Sequence, residues 1–195
     1  RGLSVGRSIP TQGVNDVVRR LTGGASGTGE VISRLYDYVS NKINYEDLSF
    51  QYSAYVPQKP ESVISDGFGD CKDKCALLVA MLRSAGVDAW MALSDPSYHG
   101  TGTFLQSTRF SHTIVVVPKA GPGGSDLLLD PTSGYFTYPE LPPSLTGTWY
   151  LPIPPVSELA AELRHIEAGG QQIATEIFAE VEVGVTGTNV RASAV

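Results

Sequence analysis

Apolar residues recur at helical spacing in the amino-terminal part of the chain. The stretch GVNDVVRRLTGG is a short helix candidate that is closed by glycines. The stretch TGEVISRLYDYVSNKINY predicts a longer helix, for which Thr28 offers a cap. One face of this second helix carries Val31, Leu35, Tyr38 and Val39.

A third stretch, CKDKCALLVAMLRSAG, is apolar around its whole circumference from Cys75 to Leu82 and ends at Gly86. This pattern predicts a helix that is buried on most sides. Residues 46–66, which precede it, contain two prolines and no sustained period. They predict a loop of about twenty residues, and a loop this long inside a compact domain is usually functional or disordered.

Short apolar runs separated by glycine and proline clusters follow the third helix. VDAWMAL, RFSHTIVVV and SDLLLD are predicted strands, and one further short strand is expected around Trp149. Helices followed by a run of neighbouring strands predict an α+β domain with an antiparallel sheet.

The carboxyl-terminal stretch differs from this core. SELAAELRHIEAGG predicts a short connecting helix, and QQIATEIFAEVEVGVTGTNVRASAV alternates like a hairpin with TGTN as its turn. The hairpin carries few large apolar residues and does not make a core of its own. We therefore predict a core domain over residues 1–155, with a linker helix and the start of a further, truncated β domain over residues 156–195.

Composition and charge limit the possible functions. The chain has 195 residues, enough for one well-cored domain with an appendage. The formal net charge is −6 and there is no long basic run, which argues against nucleic acid as a partner. No stretch approaches the roughly 20 apolar residues of a membrane span, and the amino end lacks the pattern of an export signal. Because the chain begins at Arg1, we expect it to be a piece of a longer protein.

Cys71 stands at the predicted start of the third helix. Asp70 is its expected cap, and Asp73 occupies the position of a capping-box acid. A thiol at this place lies against the positive end of the helix dipole, where backbone N–H groups favour a thiolate and bind a developing oxyanion. The neighbouring lysines and aspartates oppose each other, but the position itself favours reactivity.

His112 is the best placed of the three histidines to serve a thiol nucleophile as its base. If RFSHTIVVV and SDLLLD fold about Gly121, paired residues have numbers that sum to 242, and His112 lies opposite Asp130. The residues thus predict a catalytic set with Cys71 as nucleophile, His112 as base and Asp130 as the acid that orients it. A slip of one residue would turn Asp130 to the other face of the sheet.

Other roles for the cysteines stay open on the residues alone. A buried structural thiol is the default interpretation of any single cysteine. A disulfide between Cys71 and Cys75 has poor geometry, because residues four apart on a helix have parallel Cβ vectors. A zinc site made of these cysteines and His112 lacks the usual fourth ligand and the usual paired spacing. Capping and solvation explain the nearby aspartates without calcium, so no metal or cofactor is expected.

The strings GDCKDKCALLVAMLRSAGVDAW, FSHTIVVV and LLLDPTSG, in this order, resemble the transglutaminase-like superfamily of papain-like cysteine enzymes. More narrowly, they resemble bacterial transglutaminase-like domains that follow a β-rich domain, DUF3857. The resemblance implies a papain-like fold, in which a helix that carries the nucleophile packs on an antiparallel sheet. It gives Cys71, His112 and Asp130 the roles of nucleophile, general base and acid, and orienting acid. Cys75 departs from the family, whose members commonly carry a small residue there.

The resemblance also implies a function. It indicates a thiol enzyme that acts on amide or peptide bonds through a thioester, as a peptidase or amidase if water resolves the thioester and as an acyltransferase if an amine does. The alternative is a catalytically inactive binding or assembly module of a larger cell-envelope protein. A protein or peptide substrate and flanking β domains are the expected partners, and the periplasm or cell envelope is the expected compartment. Candidates for the second oxyanion donor of the family are Gln51, Tyr55 and Gln58.

Overall fold

The computed structural model describes residues 7–47, 56–100, 110–154, 162–167, 177–184 and 187–194. Within these ranges the helices are α1 (Gln12–Thr22), α2 (Thr28–Lys42), α3 (Pro60–Asp66) and α4 (Cys71–Ser84). The strands are β1 (Asn44–Tyr45), β2 (Phe68–Gly69), β3 (Trp90–Ser94), β4 (His112–Val117), β5 (Leu127–Leu129), β6 (Trp149–Ile153), β7 (Arg164–His165), β8 (Ile177–Gly184) and β9 (Gly187–Ala194). Short 3-10 turns lie at Pro122–Gly124 and Pro143–Leu145.

The main sheet has the strand order β5-β4-β3-β6-β7, and all of its pairs are antiparallel. Alternate side chains of a strand point to opposite faces of a sheet, and here both faces are covered. One face packs on the helices in a core with these buried residues of the sheet: Met91, Val115, Val117, Leu127 and Leu129. The predicted α+β class with an antiparallel sheet is confirmed.

The other face of the sheet curls around a second apolar cluster. This cluster contains Ala92, Ile114, Val116, Leu128, Leu141, Leu145, Tyr150 and Ile166. Asp126, which directly precedes edge strand β5, pairs with Arg164 of the opposite edge strand β7 and accepts a hydrogen bond of 3.1 Å from the Tyr150 hydroxyl. The curl therefore brings the two edges of the sheet together through one carboxylate.

The buried helix α4 lies at the centre of the core, as its apolar circumference predicts. Every side chain from Cys75 to Leu82 is buried. It contacts α1, α2 and α3 on one side and strands β3 and β4 on the other. The first residue of this helix is Cys71, so the core holds that position firmly.

Two local predictions in the amino-terminal half are wrong. Thr28 is the first residue of α2 and not its cap, because Gly27 takes the cap position without a side-chain hydrogen bond. The predicted loop over 46–66 ends in helix α3, which has a proline at its start and stops at Gly67 in the left-handed conformation (φ 75°). Seven residues are too few to show a helical period in the sequence.

The predicted connecting helix after residue 155 is wrong where the structure describes it. Residues 164–165 form β7, which pairs with β6 and extends the main sheet beyond the predicted domain boundary. The predicted carboxyl-terminal hairpin is confirmed as the pair β8 and β9. Its predicted TGTN turn is displaced, because Gly187 already belongs to β9 and pairs with Gly184. The division into two domains stays a prediction.

Among the described residues, no helix combines the length and the apolar character needed to cross a membrane.

Candidate active site

The amino-terminal end of α4 presents Cys71 as a free, half-buried thiol. The carboxylate of Asp70 accepts hydrogen bonds from the N–H groups of Lys72 (3.1 Å) and Asp73 (3.2 Å), and the carboxylate of Asp73 accepts one from the N–H of Asp70 (3.3 Å). The predicted capping box is therefore confirmed. It fixes the first turn of the helix, so the thiol is held at the positive end of the dipole and is reached from solvent.

Asp73 also holds the approach to this helix. Its carboxylate oxygens accept hydrogen bonds from the backbone N–H (2.8 Å) and the side-chain amide (3.0 Å) of Gln58. The amide of Gln58 is thus directed to Asp73, which argues against it as the second oxyanion donor. The other two candidates, Gln51 and Tyr55, lie outside the described residues.

Gly69 lets the backbone before Cys71 pass close to the first turn of α4. A Cβ atom at Gly69 would lie 2.7 Å from the Cβ of Asp73, closer than real Cβ atoms approach one another. The backbone of Gly69 also pairs in parallel with Tyr45 of β1, so it has little room to move aside. Only glycine fits this position without a shift of the capping box.

We expect Gly69→Ala to lower the free energy of unfolding by about 1–3 kcal/mol through overpacking, and to slow alkylation of Cys71 because Asp73 moves. Urea unfolding and iodoacetamide labelling measure the two effects. Gly29→Ala is the matched control, because Gly29 is exposed on helix α2 and its added Cβ meets only the Tyr138 hydroxyl, at 4.0 Å. Equal stability of the two variants would contradict this role of Gly69.

His112 and Asp130 meet at the same end of the sheet. His112 begins β4 and Asp130 directly follows β5, and the Nε2 atom of His112 lies 2.9 Å from Oδ2 of Asp130. The predicted register is wrong, because Val116 pairs with Leu128 and the strands therefore align Asp130 with Ile114. The numbers of paired residues sum to 244 instead of the predicted 242, so the register is shifted by two residues. A shift by two keeps His112 and Asp130 on the same face of the sheet, where they are diagonal neighbours and still touch.

Asp130 is held by groups that the sequence analysis missed. Its Oδ1 accepts hydrogen bonds from the N–H (3.0 Å) and the hydroxyl (2.6 Å) of Thr132, and its backbone carbonyl accepts one from the hydroxyl of Tyr36 (3.0 Å). Burial raises the pKa of Asp130, but the hydrogen bond and charge of His112 and the bonds from Thr132 outweigh it, so the pKa is lowered. The DPT string contains the signal for the bond from the Thr132 N–H, since an aspartate side chain often binds the backbone two residues later in a turn.

The pKa of His112 is raised to about 10. Burial opposes this shift, but the hydrogen bond and charge of Asp130, together with the interaction with Cys71, favour the imidazolium. The structure therefore pairs the imidazole with the carboxylate, and the effect of Cys71 on the pKa of His112 places the thiol near the imidazole. This folded-state pKa lies above the value of about 6.5 in the unfolded chain. Protonated His112 therefore stabilises the folded state fully at pH values below about 6.5, and this contribution is lost as the pH rises through about 10.

Two further side chains of α4 tie the nucleophile helix to its surroundings. Lys74 is 1% exposed, and its Nζ donates to the carbonyls of Ile43 (2.7 Å) and Ser40 (3.3 Å) at the end of α2. Burial lowers the pKa of Lys74 to about 8. The Sγ of Cys75 donates to the carbonyl of Thr113 (3.1 Å), next to His112, and burial raises the pKa of Cys75 well above its usual value. Cys75 is an inert thiol that joins α4 to β4.

The other two histidines lie elsewhere. His165 contacts the ring of Trp149 with centroids 4.9 Å apart and pairs with Glu167, on the β6 and β7 side of the sheet. His99 lies in the exposed turn after β3, beside Gly147. Neither position brings these imidazoles into the set formed by Cys71, His112 and Asp130.

A family model of the transglutaminase-like superfamily matches residues 15–112, which is just over half of the chain. The chain belongs to the transglutaminase-like superfamily. The match begins in α1, includes Cys71 and ends at His112, so Asp130 lies beyond it. A search of curated proteins found no match.

Two solved structures are similar to this chain. The first is a proposed protease from Parabacteroides distasonis ATCC 8503, with a TM-score of 0.60 and 16% identity over 84% of this chain and 30% of that one. The second is a proposed cysteine protease from Cytophaga hutchinsonii, with a TM-score of 0.48 and 14% identity over 100% of this chain and 56% of that one. The chain thus spans less than two thirds of either protein, and the first likeness supports the papain-like fold.

Proposed function

We propose that this chain is a thiol enzyme that cleaves amide or peptide bonds through a thioester intermediate. The observation that carries the proposal is that His112 pairs with Asp130 at 2.9 Å and lies close enough to Cys71 for that thiol to affect the pKa of the imidazole. The roles follow from that arrangement, with Cys71 as nucleophile, His112 as general acid and base, and Asp130 as the group that orients and charges the imidazole.

The reaction uses the ends of the elements that meet there. The thiolate of Cys71 attacks the substrate carbonyl carbon, and the oxyanion that forms lies at the amino end of α4. The N–H groups of Lys72 and Asp73 are used by the capping box, so the backbone N–H of Cys71 is the donor of this helix end that binds the oxyanion. His112 gives its proton to the leaving amine as the C–N bond breaks, which leaves a thioester on Cys71. Neutral His112 then takes a proton from water or from an acceptor amine as it attacks the thioester, and the thiolate is released.

We infer that water is the acceptor, so that the chain is a peptidase or amidase and not an acyltransferase. The name of the structural neighbour from Parabacteroides distasonis, a proposed protease, supports hydrolysis. The half-buried position of Cys71 is consistent with access of water to a thioester at the helix end.

The test is intact-mass analysis of the protein mixed with a panel of peptides that contain glutamine, with and without an added primary amine. We expect peptide fragments that are the same with and without the amine, and a transient mass increase on Cys71. Incorporation of the amine into the peptides would contradict hydrolysis and show that the enzyme is an acyltransferase. No mass increase with any peptide, together with iodoacetamide labelling of Cys71 that is as fast in His112→Ala as in the parent, would refute the enzyme.

The second candidate is a catalytically inactive binding module of a larger cell-envelope protein, with DUF3857-type β domains beside it. It is favoured by the coverage of the neighbour from Parabacteroides distasonis, of which this chain matches 30%, so that a core of this fold is there part of a longer protein. In this proposal the hairpin of β8 and β9 belongs to a flanking β domain. The labelling experiment above separates the two candidates, because a binding module needs no activated thiol.

A further inference from the structure

Tyr45 is positioned by the same segment that positions the nucleophile. It lies on β1 and pairs with Gly69, two residues before Cys71. The flanking N–H groups of Asn44 and Glu46 donate to the carbonyls of Gly67 (2.8 Å) and Gly69 (3.1 Å). The backbone of Tyr45 is therefore fixed on both sides to the chain that leads into α4.

A third bond fixes the same strand from the other direction. The ammonium of Lys74, one turn after Cys71, donates to the carbonyl of Ile43 at 2.7 Å, just before β1 begins. Both ends of the link are in the core, since Lys74 is 1% and Ile43 2% exposed. A side chain on β1 thus keeps a constant place relative to the Cys71 sulfur, as a residue that selects substrate must.

The side chain on this rigid strand is nonetheless open to solvent. Tyr45 is 48% exposed, and among the described residues the other large apolar side chains with such exposure are Ile9 and Tyr135. Burial of part of the ring, and then the charges of Cys71, Asp47, Asp70 and Asp130, raise the pKa of the phenol to about 12. The phenol is therefore neutral at ordinary pH and lies within electrostatic reach of the nucleophile.

Resting on the function proposed above, we propose that Tyr45 is a specificity residue whose ring packs against the substrate side chain next to the attacked carbonyl, and that it selects apolar over acidic side chains. The ring offers an apolar surface on a strand that is fixed to the segment leading into Cys71. The carboxylate of Asp47, two residues after Tyr45, disfavours a second negative charge there, whereas Asp70 and Asp130 are paired with Lys72 and His112. The class of substrate is thus a peptide with an apolar or aromatic residue at the site of attack.

The test compares two acyl-amino acid chloromethyl ketones, one with the side chain of phenylalanine and one with that of glutamate. In both, the Cys71 thiolate forms a C–S bond as the C–Cl bond breaks and chloride leaves, so the rate ratio reports only the side chain. We expect the parent to prefer the phenylalanine reagent. Tyr45→Ala is expected to reduce this preference about five- to tenfold, and Tyr45→Phe, which keeps the ring, to retain it.

Ile9→Ala is the control, because it removes another exposed apolar side chain near the far end of α4, where Arg83 binds Ser8. It should leave the preference at the parental value. An unchanged preference in Tyr45→Ala, or an equal loss in Ile9→Ala, would overturn the assignment. Iodoacetamide labelling of the same variants separates the two proposals. Slow labelling of Cys71 in the parent protein would contradict the proposed enzyme, whereas a changed ratio of the two chloromethyl ketone rates concerns Tyr45 alone.

Discussion

Replacement of Cys71 by alanine is expected to lower the turnover of any amide substrate by about 10⁴-fold or more, because no other group at the amino end of α4 forms the thioester. The fold should persist. The side chain of Cys71 is only half-buried, and the capping box uses Asp70 and Asp73, which the change leaves in place. The measurement is peptide turnover beside a thermal unfolding curve.

The chain offers a matched control for that variant in Cys75→Ala, the same substitution one helical turn later. Cys75 is fully buried and donates to the Thr113 carbonyl, so its loss should cost stability, on the order of 1–2 kcal/mol. Turnover should fall far less than in Cys71→Ala. If both variants retained full turnover, the chemistry would not depend on a cysteine at all.

Asp130→Asn is expected to lower turnover by about 10²–10⁴-fold and to move the alkaline limit of activity to lower pH. In the parent protein, His112 keeps its proton until its pKa of about 10, so the form that protonates the leaving amine persists to that pH. Asparagine removes the negative charge that favours the imidazolium, while the burial that lowers the pKa of His112 stays. The alkaline limb should therefore move down, toward the ordinary histidine value of about 6.5.

The pH dependence of kcat/KM measures this limit in the free enzyme. Asp126→Asn is the control, because Asp126 is a carboxylate of the same sheet that binds Arg164 and Tyr150 rather than His112. That variant should lose stability without a shift of the alkaline limb. An unchanged limb in Asp130→Asn would show that the carboxylate does not set the charge of the imidazole.

The pattern of apolar residues predicts α4 and the strands of the main sheet because burial governs both. Cys75 to Leu82 form a run without a polar interruption, and β4 and β5 are bounded by glycine and proline clusters. His112 and Asp130 contact each other because both side chains point to the same face of the paired strands β4 and β5. The contact survives the wrong register because a shift by two residues preserves the face.

Contacts between distant parts of the chain escape a reading of the sequence. Tyr36 and Asp130 are 94 residues apart, and Lys74 and Ile43 are 31 apart, so no local pattern joins either pair. The sequence predicts helix at β7, but the two residues of this strand pair with β6 through tertiary contacts that override local preference.

The burial of Cys75 also determines what an oxidant does to this protein. Cys71 and Cys75 are the only sulfhydryl groups in the chain, and the second is held in the core by its bond to the Thr113 carbonyl. A sulfenic acid formed on Cys71 therefore has no partner within the molecule that can resolve it to a disulfide without opening the core. Recovery depends on a small external thiol, and peroxide in excess drives the sulfur on to its irreversible acids.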